Sequence, residues 1–169
     1  MKRMMVAMLF MTLMITGSIE ARPESSFDRV MMSYEQIRLE LADDSLKGVS
    51  QNAENIVAEL QHLRRNITAA DAGVDRGDGM VVFSELETWT ETARTLQNAD
   101  SLAGARDSFQ NLSEMLIGWR DRQIRSSGAI VASCPSTQET WLQAKKSRKE
   151  IKSPFSCSHS DECEKIVSR

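Results

Sequence analysis

Histidine and cysteine are scarce in this 169-residue chain, which holds two of the first and three of the second. With so few histidines and no paired-carboxylate motif there is no acid–base machinery to point at, so no enzyme is expected. Long apolar runs are missing as well. The longest, from Met4 to about Ile15, falls short of the roughly twenty residues a membrane-spanning helix needs, and no cysteine follows it to carry a bacterial lipid anchor. Positive charge is in slight deficit, with a formal net charge of −3. The one basic cluster, KKSRKEIK from Lys145 to Lys152, has no aromatics between its charges. Phosphate backbones ask for a concentrated basic face, so nucleic acid is not an expected partner. There is no internal repeat, and no pairing of one CxxC with another.

What is present begins with Lys2 and Arg3 ahead of the apolar run, followed by small and polar residues up to Ala21 and then Pro23. That order is the order of a secretory signal peptide cleaved near Ala21. Residues 1–21 are therefore expected to be removed on export to the periplasm or beyond, with no stable membrane insertion afterwards. Met1, Met4, Met5, Met8, Met11 and Met14 leave with the segment, so methionine abundance is no metal signal. The remaining chain, about 148 residues, suits one domain with its own core.

Apolar residues recur every three to four positions in four stretches. Val30, Tyr34, Ile37 and Leu41 make the first stripe; Val49, Ala53, Ile56, Leu60, Leu63 and Ile67 the second. Gly48 lies where the two would separate. A third runs Phe83, Leu86, Trp89 or Thr90, Ala93 and Leu96, and a fourth runs from Leu102 through Ala105, Phe109, Leu112, Leu116 and Trp119 to about Ile124, with Asp100 placed to cap it. The expected fold is all-α, an up-down four-helix bundle over residues 27–125. The segment 126–169 loses helical periodicity apart from a brief strand-like run at Ile130, Val131 and Ala132. It is expected to pack on the bundle as an irregular cysteine-containing tail of the same domain, anchored by Trp141, Leu142, Ile151 and Phe155. DGMVVFSE, Asp78 to Glu85, matches the second half of a calcium-binding EF-hand loop, but Val74 and Arg76 occupy the first and third ligand positions. Two lost ligands and a guanidinium argue for a glycine-rich loop between helices.

All three cysteines fall in the tail. Cys134, Cys157 and Cys163, with His159, make a donor set suited to copper(I), zinc or another soft or borderline ion. The same residues permit a disulfide, Cys134 with Cys163 or Cys157 with Cys163, leaving an odd thiol. A thiol nucleophile with His159 as base is the third reading, and no oxyanion pocket announces itself. His62, in LQHLRR, reads as a surface residue.

The helix ARDSFQNLSEML, with Arg106, Phe109, Leu112 and Ser113, and the tail residues Cys134-Pro135, Trp141-Leu142, Ile151, Pro154, Phe155 and Cys163 together resemble a bacterial periplasmic family of unknown function. Its members occur alone or at the C-terminus of adaptor proteins in Cus-type copper and silver efflux pumps. The resemblance implies a helical body, a periplasmic location, a soft metal ion such as copper(I), and an efflux adaptor or other periplasmic protein as partner. Ser136 and a position near Ser160 stand where that family has methionine, Ser153 where it has asparagine, and Glu164 where it has glycine. Both thioether donors are thus replaced here, so that either Cys157 and His159 compensate as ligands or the site is lost.

Overall fold

A computed structural model describes residues 25–66, 68–125, 127–134, 137–144 and 151–155, and the backbone of 165–167. The expected signal segment lies outside these residues. The described chain is mostly helical, with a small antiparallel sheet at its C-terminal end. Its helices are α1 (Ser26–Ala42), α2 (Val49–Arg65), the single turn α3 (Ala69–Ala72), α4 (Arg76–Gln97) and α5 (Leu102–Asp121).

Each long helix starts where the sequence provides a stop for the preceding segment or a partner for the first amides. Ser25 opens α1 with a capping box: its hydroxyl accepts from the Asp28 amide while the Asp28 carboxylate accepts from the Ser25 amide. Gly48, at φ +75°, supplies the left-handed residue that separates α1 from α2. Asp75 caps α4 and Ser101 caps α5. Asp100 is therefore not the cap: the serine one residue later accepts from Gly104 instead.

The four long helices close a ring, α1 against α2, α2 against α4, α4 against α5, and α5 back against α1. Phe27 meets Trp119 edge-on at 5.1 Å, and Tyr34 stacks on Phe109 at 4.6 Å. Residue numbers rise along α1 as they fall along α5, so these two helices run antiparallel. The first, second and fourth stripes point inward as the periodicity predicts, with Val30, Tyr34, Ile37, Leu41, Ala53, Ile56, Leu60, Phe109, Leu112, Leu116 and Trp119 all fully buried. Ile67 lies outside the described residues. The helix of the fourth stripe, α5, ends at Asp121, and Ile124 is exposed.

The third stripe is corrected. α4 begins at Arg76, so DGMVVFSE is helix and not a loop. Val82 takes the buried place and Phe83 faces out. The two glycines that look like a loop have a packing explanation at Gly79, where an added Cβ would press to 3.3 Å from the Ala69 methyl of α3.

The all-α expectation is also corrected, because the described part of the tail includes three strands, while 151–155 is irregular as expected. β1 (Ala129–Ser133) pairs with β2 (Thr140–Ala144) and with β3 (Lys165–Val167), both antiparallel, in the order β2-β1-β3. The strand-like run at Ile130, Val131 and Ala132 falls in β1; β2 carries too little alternation to read from sequence, and β3 joins from more than thirty residues away, a pairing no local pattern encodes. The sheet lies on the bundle chiefly through β2, which contacts α5 and α1.

Candidate functional site

The place where the tail meets the bundle is built from buried polar groups as much as apolar ones. Trp141 and Leu142 of β2 are fully buried and Phe155 nearly so, while Ile151 is partly buried against the core. Phe155 lies 6.1 Å from the rings of both Phe109 and Trp141, bridging helix and sheet.

Tyr34, from α1, reaches both partners. Its hydroxyl lies 2.7 Å from that of Ser113 and accepts from the Leu142 amide at 3.1 Å. Ser113 donates to the Phe109 carbonyl at 2.7 Å. A serine hydroxyl has one proton, so Tyr34 must donate to Ser113. The result is a directed chain, Leu142 N–H to Tyr34 to Ser113 to Phe109 C=O, through β2, α1 and α5. Burial pushes the Tyr34 phenol far above the ordinary tyrosine range; its hydrogen bonds with Ser113 and Leu142 oppose this only in part.

Two arginines hold the segment 151–155. Arg38 is almost fully buried, paired through Nε and Nη2 with both oxygens of Glu35, and its Nη1 donates to the Lys152 carbonyl at 2.6 Å. Arg106 donates from Nε to the Pro154 carbonyl and from Nη2 to the Leu41 carbonyl, each at 2.8 Å, and pairs with Asp44. Such fixed forks suit several acceptors at once, and pairing offsets the cost of burying the charge. Arg38 escaped the sequence reading, though a charge one position from Ile37 on a buried stripe was its visible sign. At the other end of α1, Arg29 pairs with Glu59 of α2 at 2.7 Å. Burial would raise the Glu59 carboxyl, but hydrogen bonds from Arg29 and Ser26 outweigh it and hold that group below its usual range.

Of the expected metal ligands the structure places Cys134. It follows β1 directly, is fully buried, and is fixed by main-chain bonds: its N–H donates to the Glu139 carbonyl at 2.9 Å and its carbonyl accepts from the Gln138 amide at 2.8 Å. Gln138 sits at φ +62°, turning the chain back into β2. Cys157, His159 and Cys163 lie outside the described residues. Among the described residues no three His, Cys, Asp or Glu side chains group closely enough to hold a metal ion. In the β1–β3 ladder Lys165 stands opposite Ser133. Cys134 is the next residue after Ser133, and Cys163 precedes Lys165 by two. His62 is on the surface, as expected. No described helix is long and apolar enough to cross a membrane.

The chain matches no family model, no curated protein and no solved structure.

Proposed function

We propose that the chain is an exported, non-catalytic metal-handling domain. Its body is an up-and-down four-helix bundle, and its tail brings Cys134 and Cys163 together as thiolate ligands for a soft ion, copper(I) before zinc. Cys157 and His159 complete the donor set. The placement of Cys134 supports this reading: it is fully buried at the end of β1 and held there by main-chain hydrogen bonds through its N–H and its carbonyl. Thiolate and imidazole donors favour soft and borderline cations over magnesium or calcium. The resemblance to domains attached to copper and silver efflux adaptors supports the same assignment, and makes such an adaptor or another periplasmic protein the expected partner.

Titrating the reduced mature protein with copper(I) or zinc under anaerobic conditions tests the proposal. Metal should protect the thiols from alkylation and raise Tm, since an ion bound only by the folded state stabilises it. Unchanged alkylation and unchanged melting at excess metal would reject it.

The buried position of Cys134 equally suits a second reading, a disulfide between Cys134 and Cys163 that clamps the tail of a structural or interaction module. The protein isolated without reductant would then be lighter by two hydrogens and would keep one alkylatable thiol of its three. Paired sulfurs cannot also act as thiolate ligands, so thiol counting separates the two readings.

A further inference from the structure

The outward face of α4 carries an apolar pair that nothing in the bundle covers: Met80 is 73% exposed and Phe83 44%. Arg76 precedes Met80 by four residues and Glu87 follows Phe83 by four, and both are exposed. The spacing four, three, four puts all four side chains on one narrow stripe, alternating as the a and d positions of a heptad. Read from either end, the stripe is charge, apolar, apolar, charge, with the sign inverted. Gly77 and Ser84, both exposed, run beside it and leave room for close approach.

We infer that α4 pairs with α4 of a second copy of this chain, antiparallel, about a two-fold axis passing between positions 81 and 82. Met80 then packs on Phe83 of the second copy, and Arg76 meets Glu87 of the second copy, each contact occurring twice by symmetry. The a-to-d layering is that of antiparallel coiled helices. Charge fixes the orientation, because a parallel pairing would set Arg76 against Arg76 and Glu87 against Glu87. Both charges are available for it. Arg76 takes part in none of the described ion pairs. Glu87 pairs with Arg64 of α2, but both side chains are at least half exposed, and such surface pairs hold their geometry weakly. A carboxylate also has lone pairs for a second guanidinium. The stripe is small, so the dimer belongs to the weak, concentration-dependent class. It is independent of the cysteines and of the metal reading.

Sedimentation equilibrium of the mature protein, kept reduced so that no intermolecular disulfide contributes, is the test. The expected result is a monomer–dimer equilibrium that Phe83→Glu abolishes. In an Arg64→Gln background, where a cation at position 87 meets none from its own chain, Arg76→Glu and Glu87→Arg should each weaken the dimer about ten-fold or more. Combined, they should return it to within about three-fold of the background, because the pair is restored with its signs exchanged. All these positions are exposed, so the circular dichroism of each variant should match the parent and report an intact fold. A monomer at every concentration, a dimer that survives Phe83→Glu, or a double reversal no tighter than the single ones would each overturn the inference.

Discussion

Tyr34 is the chain's single tyrosine, so its ionisation can be followed without interference from another phenol. Its folded pKa lies above the unfolded value of about 10. The neutral form is the one the fold prefers, so the stabilisation is complete below pH about 10 and is lost as pH rises beyond it. Phenolate absorbance should therefore stay absent through the ordinary tyrosine range and then emerge together with loss of helical circular dichroism. A reversible phenolate titration near pH 10 with the helices intact would refute the buried, directed hydrogen-bond chain. Tyr34→Phe removes the acceptor for the Leu142 amide and should cost about 1–3 kcal/mol in denaturant unfolding, the usual penalty for stranding a buried donor.

Among the elements, the sheet and the segment 151–155 depend on α5 through one side chain above the others. Arg106→Ala removes the donor to the Pro154 carbonyl and leaves the Leu41 carbonyl with the Asp44 amide alone, and should cost about 1–3 kcal/mol. Amide exchange should accelerate in β2 and around Phe155 while α2 and α4 keep their protection; uniform acceleration would mean that the arginine is not a local fastener. Lysine should restore little, since one ammonium cannot reproduce the spread of the fork. The element that arginine stands on was legible in advance. The stripes of α1, α2 and α5 were visible because their apolar spacing is regular and fully buried. α4 was misread at its start: Gly77 and Gly79 look like loop residues, and Val82 and Phe83 are adjacent apolar residues between which periodicity alone does not choose. Of the sheet only the run at Ile130, Val131 and Ala132 was legible; its pairing was not, because β1 finds β2 across a turn and β3 across a long stretch of chain. The anchors Trp141, Leu142 and Phe155 could be named from their chemistry, but the guanidinium bonds to main-chain oxygens depend on where helices end in space.

At the scale of the molecule, bundle and tail share their interior. Trp119 touches Phe27 and Trp89, and its indole N–H donates to the Ala72 carbonyl, tying α1, α3, α4 and α5 at one end. Tyr34, Phe109 and Phe155 tie helices to sheet at the other. Thermal unfolding followed by tryptophan fluorescence and by far-ultraviolet circular dichroism should give one coincident transition, as expected for a two-state unit of this size. Separate midpoints would show that the tail melts on its own and that 27–125 and 126–169 are distinct folding units. One feature of the junction also governs how the chain can vary. Arg38 and Arg106 bind the oxygens of Lys152 and Pro154 that every amino acid possesses. The identity of the exposed Lys152 is thus constrained only by its surface pair with Asp43, and drift there should leave the attachment standing, whereas either arginine is replaceable only at the cost of the whole seam.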